Sequence, residues 1–158
     1  MINIGVIGYK NHAQKVISFL NKKNKIKYVY HPKKKLKIRN FTNKISNLLN
    51  LDCVFIICPS KYHFKYLNYF NKNNFKGYIF CEKPPVTKIK DLIKISKFQN
   101  KKIYFNFNLR HSYLEKYFNY NNYLGKLISF HIFDSKPLIF KKDLNKNWRM
   151  NVKDTLVT

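Results

Sequence analysis

Tyr78-Ile79-Phe80-Cys81-Glu82-Lys83-Pro84 is the stretch on which the reading of this chain turns. Its four leading apolar residues read as a buried strand. The proline stops that strand and sets the direction in which the chain leaves it. Only seven residues in the chain are acidic, so a Glu-Lys pair at a strand end is not charge filler. A strand of an open α/β sheet delivers its C-terminal residues to the ligand crevice. A lysine held there and partly desolvated can handle protons. The alternative is a salt-bridged strand end leading into a turn.

Outward from this stretch, apolar runs alternate with helical patterns. Strands are predicted over 2–8, 26–30, 53–58, 78–81 and 103–107. Helices are predicted over 11–22, 41–50, 61–73 and 88–99, each with apolar residues recurring on one face. Examples are Ala13, Val16, Ile17 and Leu20 in the first, Ile45, Leu48 and Leu49 in the second, and Ile89, Leu92, Ile93 and Phe98 in the last. Strand-helix alternation with continuously apolar strands predicts an α/β fold, a parallel sheet with helices on both faces. After Arg110 the pattern changes. Residues 112–123 read as a helix, and 126–134 as a longer strand that could begin a different sheet. A domain boundary is placed near 120, giving domains at 1–120 and 121–158. A stable domain needs at least about 40 residues, so the second is expected to be the truncated start of an α+β domain.

Composition limits the function classes. Hydrophobic residues make up 45% of the 158, enough for a core, and no apolar run approaches the ~20 residues of a membrane helix. The start reads as a strand with no basic signal-peptide region, so a cytoplasmic location and no membrane partner are expected. Cys53, Cys58 and Cys81 form no Cys-x-x-Cys pair or zinc spacing and are expected as buried, reduced thiols. The net charge of +25 raises a basic nucleic-acid-associated protein as one reading. Against it, the basic residues are lysines spread along the chain, with only Arg39, Arg110 and Arg149 as arginines, whereas base-edge contacts favour arginine. No specific nucleic-acid partner is expected, only salt-sensitive adhesion to polyanions.

The N-terminal strand, glycine turn and helix suggest a dinucleotide site. The G-x-G-x-x-G fingerprint falls on Gly8, Lys10 and Ala13. Gly8 suits the tight turn, and Ala13 is accepted where helix and strand pack closely. Lys10 departs from the pattern, because the middle glycine lets backbone approach the pyrophosphate. Its ammonium could contact phosphate, or its side chain could block the site. The second strand ends Tyr30-His31-Pro32-Lys33-Lys34-Lys35, where the fingerprint expects an acid for a ribose hydroxyl. A basic cluster there suits a 2′-phosphate and favours NADP over NAD; a solvated lysine loop is the alternative.

In order and spacing, IGVIGYKNHAQKVI (4–17), DCVFIICPSKYHFKYL (52–67), GYIFCEKPP (77–85), FNLRHSYLEKY (107–117), LGKLISFHIF (124–133) and NWRM (147–150) resemble the N-terminal Rossmann region of the Gfo/Idh/MocA oxidoreductases, the glucose-fructose oxidoreductase and inositol dehydrogenase family. The resemblance implies NAD(P)-dependent chemistry on a hydroxyl of a sugar, sugar nucleotide or cyclitol, and a homo-oligomer for the complete form. Carried over, Gly8 and the turn through Tyr9, Lys10, His12 and Ala13 would bind pyrophosphate. His31 and Lys33 would lie on the ribose side. Pro59 and His63 would line the nucleotide side of the crevice. Glu82 would orient Lys83, and Lys83 would hydrogen-bond the reacting hydroxyl near the nicotinamide, with Pro84 beside it. Arg110 and the segment Trp148-Arg149 would lie close to the cofactor. The family's Asp-x-x-x-His motif would fall after Thr158, so the 158 residues alone are expected to be a catalytically inactive fragment. A non-catalytic nucleotide-binding remnant is the alternative.

Overall fold

A computed structural model describes residues 1–20, 24–33 and 35–107. Six strands form one sheet: β1 Asn3–Ile7, β2 Lys25–Tyr30, β3 Phe41–Thr42, β4 Cys53–Ile56, β5 Tyr78–Glu82 and β6 Ile103–Asn106. Their order is β3-β2-β1-β4-β5-β6, and each adjacent pair is parallel. The five expected strands are all present, and β3 is additional. Among the described residues three α-helices accompany them: α1 Asn11–Leu20, α2 His63–Lys72 and α3 Ile89–Ser96.

Side-chain alternation along the strands divides the core between the two faces of the sheet. Ile4 and Val6 of β1 and Cys53 of β4 pack with Ala13 and, through it, with the apolar stripe Val16, Ile17 and Leu20 of α1. Val54 and Ile56 of β4 and Ile79 and Cys81 of β5 pack on the opposite face with Leu48 and with Tyr66, Leu67 and Phe70 of α2. Phe70, Leu67 and Leu48 are wholly buried, and each such side chain contributes roughly 1.5–3 kcal/mol of transfer free energy. Helices therefore cover both faces, as expected for a doubly wound sheet.

The helix predicted over 41–50 is not formed. Phe41 and Thr42 pair with β2 instead, and Ile45–Leu48 make a single 3₁₀ turn. The Thr42 hydroxyl explains the difference. It accepts hydrogen bonds from Lys44 N at 3.1 Å and Asn47 Nδ2 at 2.9 Å, offering the backbone a local alternative to helix. The helical spacing of Ile45, Leu48 and Leu49 serves the turn, which drops Leu48 onto Gly5: a Cβ there would lie 3.0 Å from Leu48 Cγ. In α3, Ile89, Leu92 and Ile93 are exposed, and contact with the core is made by Ile95 and, just beyond the helix, by Phe98. The expected helix 112–123, strand 126–134, boundary near 120 and second domain lie outside the described residues.

The chain builds outward from β1 through β2 to β3, then returns across β1 to β4. That reversal puts the switch point between β1 and β4, where open α/β sheets bind ligands beyond the C-terminal strand ends.

Candidate functional site

Gly8 follows β1 directly and turns the chain into α1. Its φ is +113°, and a Cβ at this position would lie 2.2 Å from the carbonyl oxygen of Ile57, so only glycine fits. Its N–H donates to Tyr30 O at 3.2 Å. The turn is thus pinned between the ends of β2 and β4. Lys10 O accepts from Gln14 N at 3.0 Å and opens α1, whose first N–H groups have no partner within the helix and favour an anion. Ala13 is buried against Ile4, Val6 and Ile57, the close helix–strand packing expected of it. Tyr9 is half-buried against the same cluster, and the Lys10 side chain is exposed.

At the end of β2, His31 N donates to Thr42 O at 3.2 Å, and His31 Nδ1 accepts from Lys33 N at 3.3 Å. The imidazole therefore shapes the bend that carries Lys33, whose side chain is exposed, as is that of Lys35. No acid stands at this strand end.

Beyond β4, half-buried Pro59 leads into the 3₁₀ turn Ser60–Tyr62 and then α2. His63, the first residue of α2, is wholly buried. Its Nδ1 lies 2.8 Å from Pro84 O and its Nε2 2.9 Å from Cys58 O. His63 thus presents no exposed surface to the crevice. Its ring ties the end of β4 to the loop carrying Lys83 and Pro84, and so positions that loop. The Lys83–Pro84 peptide is cis, and the Lys83 side chain is exposed.

Glu82 closes β5 with its side chain 17% exposed. Its Oε1 accepts from Asn106 Nδ2 at 2.9 Å and lies 2.9 Å from His12 Nε2. Asn106 is Glu82's partner in the β5–β6 register, so strand pairing itself delivers the amide. Asn106 escaped the sequence reading. The available signal was a polar residue closing an apolar strand beside the Glu-Lys-Pro segment. The His12–Glu82 contact had no sequence signal, since it joins residues seventy apart.

Burial pushes the Cys58 thiol up to about 12, and burial with the nearby Asp52 charge does the same for Cys53. Cys81 is raised well above the usual thiol range by burial, then by Cys58 and Glu82. These thiols are packing groups at neutral pH, because the thiolate is the nucleophile. Among the described residues no group of three His, Cys, Asp or Glu side chains stands close enough to hold a metal, and no helix is long and apolar enough to cross a membrane.

One edge of the sheet therefore gathers the turn Gly8–Ala13, His31 and Lys33, Pro59, and Glu82-Lys83-Pro84 with Asn106. Arg110, Trp148 and Arg149 lie outside the described residues. The edge pairs helix N–H groups and lysine ammoniums, suited to phosphate, with a carboxylate–lysine pair two strands away.

No curated protein matches the chain by sequence. Among solved structures it is similar to apo scyllo-inositol dehydrogenase from Lactobacillus casei, with a TM-score of 0.61 at 19% identity over 77% of this chain and 41% of that one. It is similar to myo-inositol 2-dehydrogenase from Lactobacillus plantarum, with 0.64 at 19% over 80% and 43%. It is also similar to UDP-N-acetylglucosamine 3-dehydrogenase from Acidithiobacillus ferrooxidans, with 0.62 at 15% over 77% and 43%. At these identities the likeness is one of fold, and the chain spans about two-fifths of the length of the structures it matches. The model of the oxidoreductase family with an NAD-binding Rossmann fold, GFO_IDH_MocA, matches residues 2–107. With that match over most of its length, and with the glycine turn, sheet order and Glu-Lys-Pro strand end described above, this chain belongs to the Gfo/Idh/MocA oxidoreductase family.

Proposed function

We propose that the chain supplies the dinucleotide site and the lysine of a cytoplasmic oxidoreductase acting on a hydroxyl of a sugar, sugar nucleotide or cyclitol, with NADP preferred over NAD. The observation that carries this reading is the left-handed Gly8, wedged against Ile57 O, on the same sheet edge as Glu82-Lys83-Pro84. The names of the similar structures support the substrate class, since they are inositol and sugar-nucleotide dehydrogenases.

The residues present fit a dinucleotide. The N–H groups of the turn through Ala13 hold the pyrophosphate at the start of α1, with the exposed Lys10 ammonium beside it. His31 and Lys33 take the ribose side, where a lysine suits a 2′-phosphate and the missing acid removes the partner of a 2′-hydroxyl. A bound nicotinamide supplies the hydride acceptor or donor. Lys83 donates a hydrogen bond to the substrate hydroxyl and polarises it. Glu82, held by Asn106, sets the negative field in which Lys83 works. His63 clamps the loop so that Lys83 leaves it at a defined place. A positioned acid or base completing the proton transfer is worth roughly 10²–10⁴-fold. None of the chain's five histidines matches the family's Asp-x-x-x-His motif, so the 158 residues alone are proposed to turn over slowly or not at all.

The test is a pair of titrations with NADPH and NADH at moderate salt. Tighter NADPH binding, lost in Lys33→Ala plus Lys34→Ala, is the expected result. Tighter NADH binding, or a preference unmoved by those substitutions, refutes the 2′-phosphate assignment. Binding of neither, with rescue by Lys10→Gly, identifies Lys10 as a block and favours a nucleotide fold without turnover.

A further inference from the structure

The His12–Glu82 contact stands in an unusual place. His12 belongs to the first turn of α1, directly after β1, and Glu82 ends β5. Between β1 and β5 runs β4. Parallel neighbours lie ~4.8 Å apart, so the imidazole and carboxylate reach across about two strand spacings and meet over the C-terminal end of β4. Their 2.9 Å contact closes a strap from the phosphate turn to the Glu-Lys-Pro loop. The strap joins the elements that follow β1 and end β5, the two strands flanking β4 at the switch-point edge of the sheet. Asn106 anchors its far end through the same Glu82 oxygen. His12 is 62% exposed, so its ring is free to swing outward without disturbing the core.

We infer that the His12–Glu82 bridge is a latch over the end of β4 that a dinucleotide must open to run from the glycine turn to Lys83. The inference rests on the nucleotide reading above. In the closed state the bridge holds Glu82 for His12. In the open state Glu82 is released toward Lys83 and the ligand. The chemistry makes the latch sensitive to pH. Histidine changes charge between about pH 5 and 8. An imidazolium facing a carboxylate makes a charge-assisted hydrogen bond stronger than a neutral one. The titratable groups on the elements that meet here are Lys10 and Lys15 around α1, His63 at the start of α2, and Glu82 and Lys83 at the end of β5. Glu82 is the one that bonds the ring. Protonation therefore tightens the latch and opposes the ligand, while deprotonation loosens it.

The test measures NADPH and NADH dissociation constants for the whole chain, His12→Ala and His12→Gln between pH 5.5 and 8.5. Imidazole NMR signals of His12 are followed in the same titrations. Removing an exposed ion pair of this kind is expected to tighten binding roughly twofold to fivefold at pH 6 in His12→Ala, with the gain shrinking by pH 8. His12→Gln keeps a neutral donor and is expected to flatten this part of the pH dependence. Dinucleotide addition is expected to shift the His12 ring signals, as loss of the carboxylate partner demands. Binding by the unsubstituted chain with His12→Ala equal or weaker at pH 6 overturns the latch and leaves the nucleotide site standing. His12 signals unmoved by bound dinucleotide do the same. Binding by none of the proteins at any pH refutes the nucleotide reading and the latch with it.

Discussion

Gly8→Ala tests the site at its narrowest point. The glycine holds φ at +113°, outside the region L-residues favour, and its missing Cβ leaves room for Ile57 O, 2.2 Å from where that Cβ would sit. Two costs follow. Holding alanine in a left-handed conformation costs ~1–3 kcal/mol. Relieving overlap with a backbone carbonyl, which cannot rotate away as a side chain can, costs a further ~1–3 kcal/mol. The sum, about 2–6 kcal/mol, is a large share of the ~5–15 kcal/mol that holds a domain folded. With a urea slope of ~1–3 kcal/mol/M, the midpoint is expected to fall by about 0.7 M or more. Gly5→Ala is the matched control. Its Cβ would first meet the packed side chains of Leu51 at 2.8 Å and Leu48 at 3.0 Å and no backbone atom, and its φ is unexceptional, so it reports side-chain overpacking without the strained turn. Urea unfolding followed by far-UV circular dichroism gives both midpoints, and dinucleotide titration of the folded fraction gives the functional cost. Gly8→Ala as stable as Gly5→Ala, with unchanged dinucleotide binding, would refute the claim that the turn requires glycine.

His63→Phe removes a buried ring whose nitrogens meet the carbonyls of Cys58 and Pro84. A neutral ring carries one N–H, so one of the two carbonyls loses its donor at a cost of ~1–3 kcal/mol, and thermal unfolding should move down; an unmoved midpoint denies the clamp. Cys58 and Cys53, both pushed up to about 12, should resist iodoacetamide at pH 8 in the native protein and react after denaturation, and rapid native labelling counts against their burial. The same raised thiols make stability depend on alkali. Unfolding frees them to ionise at their ordinary value near 9.0, so the stability they confer is present below pH 9 and declines as pH rises toward about 12. A urea midpoint that rises over that interval contradicts the assignment.

Periodicity and turn chemistry carried most of the fold. Continuous apolar runs at 2–8, 53–58 and 78–81, each followed by helical spacing, can be satisfied by a parallel sheet covered on both faces, and that is the sheet observed. Gly8 and Ala13 were legible because both fall at fixed spacing in one strand-turn-helix segment, although the Ile57 carbonyl that makes Gly8 obligatory lies far off in the chain. Local signals failed where a competing side-chain bond won. The helical spacing of Ile45, Leu48 and Leu49 was overridden by the Thr42 hydroxyl, and β3 appeared in its place. Helical spacing also marked Ile89, Leu92 and Ile93, which the fold leaves exposed, because periodicity marks an apolar face without saying what lies against it.

The chemistry at the strand ends divides along the same line. The residues near in sequence, Glu82, Lys83 and Pro84, were evident as a group because one strand end holds them together. Their partners were decided by strand order. A parallel sheet aligns C-terminal ends from distant parts of the chain, so Asn106 reaches Glu82 through register, His63 reaches Pro84 through the docking of α2, and His12 reaches Glu82 across β4. Amino-acid order determined which strands and turns form, since those depend on neighbours along the chain. Tertiary structure alone decided that His63 clamps a loop and that His12 meets a carboxylate, since hydrogen bonds form between groups near in space however far apart they lie in sequence.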